Sequence, residues 1–415
     1  MYVSYKIRIY PNKSQEKTIN RTCGACRWIY NKYINYNEEI YKETGKFVSG
    51  NDFSKIVTQL KKHDEKYKWL NEISQKAVRN SILNADEAYR RFFKRISKHP
   101  RFKSKKDPVQ SYYFVPVLVK FKHNKVKLPI LGNVRIKQND YVPQDKHITR
   151  GTIVKEANKY YAVFCIDMKK EEIANTYYDT NYGGYGLDVG LKNYLTISDI
   201  HYNSYKFDSF LNDKKIVGYE EKIKYLKRII SNKMEMNYGR LLNEYMDNHH
   251  EEPSQEEKYR MKGKSYSNKC RHVQNKINKL NTKIKNYKND RINKIVSILV
   301  KLKPSYITVE TLAVSELLGN DAPKSLHDRI QKSKFGYFYE KLKFKCIVND
   351  IELRMANKFF ASSKKCSMCG TKKKDLKLTD RVFKCDNPLC NNVMDRDENA
   401  SINLVELKKY TIYSV

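Results

Sequence analysis

Alternating apolar and polar residues over 1–10 (MYVSYKIRIY) predict a β-strand, and Pro11 followed by Ser14 breaks it and offers a helix cap. Ile19, Cys23, Cys26, Tyr30 and Tyr33 then recur at three- and four-residue spacing, which predicts a helix running to Gly45. A second helix is predicted over 74–98. There Ile82, Ala85, Tyr89, Phe92 and Ile96 share one face, while Lys76, Arg79, Arg90, Arg91, Lys94 and Arg95 populate the others. His99 and Pro100 end it in a basic linker. From 111 to 168 the period falls to two. The runs 112–121, 125–129, 133–136 and 160–168 read as short strands, and their spacing predicts a small barrel completed by the first strand of the chain. From about Gly183, apolar β runs at 186–197 and 306–309 flank a long charged helical insertion, the grammar of an α/β domain. Val273, Ile277, Leu280, Ile284 and Tyr287 form the seam of a helical hairpin, with Ile223, Leu226 and Ile230 on an earlier helix. The stretch 232–265 shows no clear period, as a mobile segment would, and 248–258 (NHHEEPSQEEK) reads as an exposed loop with His249 and His250 in solvent.

Charge adds a partner to this picture. Across 415 residues, 82 Lys and Arg stand against 46 Asp and Glu, a formal net charge of +36, which is the footprint of a polyanion binder and points to nucleic acid. No run approaches the length of a bilayer span, and the N-terminus lacks an apolar signal core, so neither a membrane nor secretion is expected. Nine cysteines, an odd number clustered only near the C-terminus, fit a reducing cytoplasm with one metal site better than a disulfide framework. The 33 tyrosines either reflect compositional bias or supply rings on which bases stack.

Two groups of residues carry candidate chemistry. Cys366 and Cys369, fifteen residues, then Cys385 and Cys390 have the paired spacing of a tetrahedral thiolate zinc site, with a four-residue gap in the second pair that Asn387 and Pro388 suit to a sharp turn. Cys23 and Cys26 lie inside a helical pattern without a second pair and read as packing residues, as do Cys165 and Cys346. Three acids form the second group. Asp188 sits in the middle of an apolar strand, where an unpaired carboxylate is costly and calls for a cation; Glu310 ends another apolar run; Asp397 opens a helix carrying Ala400, Leu404 and Leu407. Two strand carboxylates and one from a helix can hold two Mg²⁺ ions about 4 Å apart for phosphodiester hydrolysis. Taken singly, Asp188 also reads as a turn residue, Glu310 as a strand-end ion pair and Asp397 as an N-cap.

Gly186–Asn193 (GLDVGLKN), 309–312 (VETL), 359–370 (FFASSKKCSMCG) and Asp395–Leu404 (DRDENASINL) together resemble the three RuvC motifs and zinc ribbon of TnpB proteins. Tyr5–Gln15 (YKIRIYPNKSQ) and Pro100–Lys105 (PRFKSK) are similar to that family's N-terminal half, so the resemblance spans nearly the whole chain. It implies a multidomain α/β protein: an RNase H-like RuvC nuclease domain with an inserted zinc ribbon, and an N-terminal wedge β-barrel with an inserted helical recognition domain. The implied boundaries are 1–10 and 109–182 for the wedge, 11–108 for recognition, 183–360 for RuvC with an insertion at about 208–302, 361–394 for the ribbon and 395–415 for the closing helix and tail.

The implied activity is that of a transposon-encoded RNA-guided DNA endonuclease, working as a monomer in a ribonucleoprotein associated with a prokaryotic nucleoid. Guide RNA encoded near the transposon end would pair with double-stranded target DNA beside a short adjacent motif, and a single RuvC site would cut. By the same resemblance Asp188, Glu310 and Asp397 would bind two Mg²⁺, with Asp397 preferred over Asp395 because it precedes the x-Asn-Ala element, and Cys366, Cys369, Cys385 and Cys390 would bind one Zn²⁺. Lys76, Arg79 and Asn80 stand where the family's recognition helices approach DNA. Two other classes remain open. A guide-dependent repressor without cleavage would have lost acidic residues that are intact here, and a strand-transfer transposase would need no guide.

Overall fold

The computed structural model describes residues 1–138, 140–173, 183–311, 323–357, 360–377 and 380–413. These form two compact units, Met1–Lys169 and Lys170–Val415. No helix among the described residues is long and apolar enough to cross a membrane.

In the first unit, strand β1 (Tyr2–Tyr10) leads into helix α1 (Lys13–Thr44). The cap is Asn12, not Ser14: Asn12 and Gln15 exchange side-chain-to-backbone hydrogen bonds in a capping box. Gly45 ends the helix at φ 65°, a left-handed position that costs glycine nothing. Helix α2 (Gly50–His63) and the single turn α3 (Glu65–Lys68) follow, neither of them marked by the sequence pattern. Helix α4 (Gln75–Phe93) begins after Ser74 as expected but stops short of Lys98, because Arg95 turns left-handed at φ 56°. Ile96 therefore lies exposed instead of on the buried face. The helical core gathers Ile29, Tyr33, Phe53, Leu70, Ile82 and Tyr89.

Strands β2 (Val109–Phe114), β3 (Lys120–Lys122), β4 (Lys125–Leu128), β5 (Gly132–Ile136), β6 (Ile148–Glu156) and β7 (Lys159–Asp167) join β1 in an antiparallel sheet ordered β2-β6-β7-β1-β5-β4-β3. The run expected as one strand over 112–121 is split by a 3₁₀ turn at Pro116–Leu118, since proline has no N–H for the ladder. The first strand is the central one, running antiparallel to both β7 and β5. Cys23 and Cys26 are buried in this unit, while Cys165 is half-buried.

The second unit opens with an antiparallel meander, β8 (Gly184–Val189), β9 (Asn193–Asp199) and β10 (Ser204–Asp208). Helices α5 (Lys214–His249), α6 (Gln255–Lys264) and α7 (Asn268–Lys301) come next, then β11 (Tyr306–Glu310), α8 (Lys324–Ser333), α9 (Phe335–Val348) and β12 (Glu352–Ala356). The chain closes with the hairpin β13 (Val382–Lys384) and β14 (Val393–Asp395), helix α10 (Arg396–Val405) and an edge strand β15 (Tyr410–Ile412). The main sheet is ordered β10-β9-β8-β11-β12-β15, with β8, β11 and β12 parallel. On one face Leu187, Ile307, Val309 and Leu353 pack against Ile295 and Leu299 of α7 and Phe338 and Leu342 of α9. Burial of that face fixes the register, because a slip of one residue would turn every apolar side chain to the opposite side.

The hairpin seam is where the spacing put it, with Ile223 and Leu226 against Val273, Ile277 and Leu280. The stretch 232–265 is mostly helical, α5 running unbroken to His249 and Ser254 starting α6 with a capping box, so the loop expected over 248–258 shrinks to 250–254. Met261 is the one buried residue of α6, and a helix that buries almost nothing has no apolar period to read. His249 and His250 are exposed as expected, with His249 stacked on Tyr245 at 4.2 Å.

Candidate active site and metal centre

The alternation of β8 decides where Asp188 points. Tyr185, Leu187 and Val189 enter the helical core, so Gly186 and Asp188 take the other face. Helix α10 crosses that face at Gly186, where a Cβ would lie 2.0 Å from the Ser401 carbonyl oxygen and 2.6 Å from the Val405 nitrogen. Only glycine admits the helix so closely. The Ser198 and Ser401 hydroxyls share a buried 2.6 Å hydrogen bond, and the Tyr306 hydroxyl donates to the Val405 carbonyl at 3.2 Å, which pins the helix in place. Gly186→Ala is expected to destabilise the protein by about 3 kcal/mol or more, because backbone on both sides must retreat; urea unfolding measures this, and an unchanged midpoint would contradict the packing.

With α10 fixed, its first turn stands beside Asp188. Asp395 is the N-cap, accepting from the Asp397 and Glu398 backbone N–H groups, and Lys206 bridges Asp395 and Glu398 at 3.1 and 2.8 Å. Burial works to raise the Asp395 pKa, but Lys206 and these N–H donors outweigh it and hold the carboxyl below its usual range. Asp395 thus takes the capping role that Asp397 was open to, and leaves the Asp397 carboxylate to other partners. One of its oxygens accepts from the Asn193 side chain at 3.0 Å. Glu310 ends β11, parallel to β8, and accepts from the Ser362 hydroxyl, while the Tyr339 hydroxyl donates to the Glu310 carbonyl at 3.1 Å.

Asp188, Glu310 and Asp397 are each half-buried, and Glu310 and Asp397 both lie within electrostatic reach of Asp188. Burial, then the Glu310 and Asp397 carboxylates, push the Asp188 pKa well above the usual carboxylate range. Burial raises Glu310 as well, against the Ser362 hydrogen bond and the Arg396 guanidinium, which lower it. Burial and the Glu310 and Asp188 charges also raise Tyr339. Two carboxylates that oppose the ionisation of a third form with it a hard oxygen donor set that a divalent cation would neutralise. The residues present fit that group.

The four cysteines form a tighter set. Their sulfurs lie within 4.8 Å of one another, and among the described residues no other group of three or more His, Cys, Asp or Glu side chains is gathered this closely. The Cys366–Cys390 and Cys369–Cys385 sulfur separations of 3.8 and 3.5 Å match the ~3.8 Å edge of a tetrahedron with 2.3 Å zinc–sulfur bonds. Hydrogen bonds from the Thr371 hydroxyl and backbone bring the Cys369 thiol down to about 6, while burial and the neighbouring cysteines push Cys385 up to about 12. The four-residue gap is absorbed by a turn in which the Asn387 side chain accepts from the Leu389 N–H and the Asn387 N–H reaches Cys385 sulfur. This set can hold zinc.

The sequence pattern did not show how the cysteine element is tied to the carboxylates. Buried Asn399 and Asn403, four residues apart on α10, face the first cysteine knuckle. The Asn399 side chain accepts from the Ser367 N–H and donates to the Lys365 carbonyl, and Asn403 donates to the Ser362 and Lys365 carbonyls. An asparagine pair at this spacing on an otherwise apolar helix face is the signal that marks such a tie. Asn193 was likewise overlooked. As a positioning residue, Asn193→Ala is expected to slow turnover about tenfold with little change in KM, and Asn193→Asp to fail to restore it, because a second-sphere donor orients its carboxylate. Steady-state rates that are unchanged would contradict this role.

Lys76, Arg79 and Asn80 lie in the first unit, on α4. Lys76 and Arg79 are exposed, the latter 3.4 Å from the Asn51 side-chain oxygen, and Asn80 lines a cavity of about 190 Å³ with Asn84, Lys103 and Arg150.

Comparison with known proteins extends these motifs over the chain. A helix-turn-helix domain model of the OrfB IS605 type matches 1–46, which in this structure is β1 and one unbroken helix, and a Cas12f1-like TNB domain model matches 335–404, including all four cysteines and Asp397. A Streptomyces pristinaespiralis protein named "Putative RNA-guided DNA endonuclease" is 24% identical over 97% of this chain and 88% of its own length. The Escherichia coli (strain K12) protein InsQ, similarly named, is 22% identical over 96% of this chain and 90% of its own length. The chain is thus similar to TnpB-type proteins over nearly its whole length. Among solved structures, the cryo-EM Cas12f1–sgRNA–target DNA complex is 16% identical to this chain, with a TM-score of 0.35 over 99% of this chain and 100% of that one.

Proposed function

We propose that this protein is a TnpB-type RNA-guided DNA endonuclease that cuts double-stranded target DNA beside a short adjacent motif, at one site built from Asp188, Glu310 and Asp397. The observation that carries this reading is the convergence of those three acids, two from neighbouring parallel strands and one from the helix laid across them. A strand order in which an antiparallel meander continues into parallel strands supports an RNase H-like, RuvC-type assignment for the second unit. The relatives' names support the guide-dependent activity. The seven-stranded sheet and helices of the first unit would serve as wedge and recognition elements, with Lys76, Arg79 and Asn80 as candidates for DNA contact.

Asp188, Glu310 and Asp397 would hold two Mg²⁺ ions, which supply an activated water and stabilise the leaving 3′ oxygen. The chain's own part is positional. Asn193 and Ser362 orient Asp397 and Glu310, Gly186 lets α10 deliver Asp397, and Arg396 tempers the repulsion felt by Asp188 and Glu310. With sequence discrimination left to base pairing, a chain of net charge +36 needs chiefly to hold a heteroduplex by its backbone.

The test is to purify the protein with co-expressed RNA from the flanks of its gene, then sequence the bound RNA and a cleaved target library. One bound RNA species and Mg²⁺-dependent cutting of matched DNA beside a fixed short motif are expected. RNA-independent strand joining would favour a transposase, and guided binding without cutting a repressor; either outcome overturns the nuclease.

A further inference from the structure

A second cavity in the catalytic unit, of about 410 Å³, is lined by five cations and two acids. Its lining includes residues next in sequence, or hydrogen-bonded, to those that hold the acids. Leu191 and Lys192 connect β8, which carries Asp188, to Asn193, the donor to Asp397. Arg381 stands opposite them in sequence, and its carbonyl accepts the backbone N–H of Arg396, the residue before Asp397. A ligand in this cavity would therefore rest against the segments that hold two of the three acids.

The charges are arranged for an anion. Glu220 pairs with Lys332 at 2.9 Å and Asp328 is the other acid, whereas Lys192, Arg329 and Arg381 are exposed on the rim and form no side-chain ion pair with a described residue. Lys288 is 4% exposed, and its ammonium spends one donor on the Lys332 carbonyl at 2.9 Å. Burial lowers the Lys288 pKa, against the nearby Glu220 carboxylate, the sign of a cation short of solvent. Phe210 and Leu211 add apolar wall, on which the non-phosphate part of a ligand could lie.

We infer that this cavity grips a backbone phosphodiester of the DNA strand being cut, on the side of the scissile bond reached through Lys192 and Arg381. The inference rests on the nuclease reading above and adds to it a phosphate-positioning site distinct from the carboxylates. A negatively charged strand drawn toward three acids needs such a counterweight, because the acids repel the substrate they act on. Planar guanidiniums at 329 and 381 suit bidentate phosphate contact.

The experiment uses the full chain with its guide RNA and a cut strand carrying single uncharged methylphosphonate linkages, scanned across the positions flanking the cut. In the unsubstituted protein, one or two linkages should slow single-turnover cleavage about tenfold, the worth of one charge-assisted hydrogen bond. In Arg329→Gln/Arg381→Gln, cleavage of ordinary DNA should fall by a similar factor and the same linkages should have no further effect, with guide RNA binding unchanged. If the double variant cuts at the original rate, or remains as sensitive to every linkage, the phosphate site is wrong. If the unsubstituted protein with its guide does not cut matched DNA at all, the nuclease reading itself fails, so the two failures are distinguishable.

Discussion

Asp188→Asn is expected to abolish cleavage while raising the melting temperature. Loss of one ligand from a two-metal site should lower the rate about a thousandfold or more, as removal of a preorganised electrostatic group does. The stability gain follows from the same environment. Burial and the Glu310 and Asp397 charges raise the folded-state pKa of Asp188, so the folded protein binds this proton more tightly than the unfolded chain. Its contribution is fully present below the unfolded carboxylate pKa and is lost as pH rises through the folded one. At neutral pH an uncharged Asn removes repulsion without changing shape, and each 1 kcal/mol recovered would appear as a rise of about 2–4 °C in a unit of this size. Millimolar Mg²⁺ should raise the melting temperature of the original protein and scarcely move that of the variant. Thermal scans at neutral and acidic pH, with and without Mg²⁺, and guided cleavage assays check these outcomes. Normal cutting by the variant, or a lower melting temperature at neutral pH, would contradict the carboxylate assignment.

Chelating the metal of the cysteine quartet, or replacing Cys366 by Ser, is expected to cost both stability and cleavage. Cys366 is fully buried, the next residue's N–H donates to Asn399, and Asn399 lies two residues from Asp397 on the same helix. A structural zinc site of this kind contributes about 10–16 kcal/mol of binding free energy, so its removal should unfold the knuckles and release the first turn of α10. Cys385→Ser should do the same less completely, because Cys385 is only half-buried. A zinc-specific chelator followed by thermal scanning and a cleavage assay decides the matter. Full activity with an unchanged transition would show that the cysteine element does not support Asp397.

Much of the fold was legible because burial writes a period into the chain. The central strand β1, α1 to Gly45 and the seam of Val273, Ile277 and Leu280 each bury one face, and each was visible as alternation or helical spacing. Where burial is slight the signal vanished. Residues 232–265 are helical without a buried stripe, and the single-ladder strand β15 has too few residues to show alternation. Elsewhere a local rule overrode the pattern: Pro116 interrupted an apolar run that otherwise reads as one strand, and the left-handed Arg95 cut α4 short.

The sequence by itself determined the donor chemistry: four thiols in two close pairs, acids embedded in apolar runs, and a charge suited to nucleic acid. Side-chain type and local spacing are enough for that, since they set what a residue can bind. Only the tertiary structure decided which acids meet. Asp188, Glu310 and Asp397 are separated by long stretches of chain, and their mutual reach depends on parallel pairing of β8 with β11 and on the room that Gly186 leaves for α10. It also separated the surroundings of Asp395 and Asp397, through the two N–H groups that Asp395 caps and the Asn193 side chain that donates to Asp397. The physical reason is that a carboxylate's role is set by the donors and charges around it, and those arrive from elements the linear chain keeps apart.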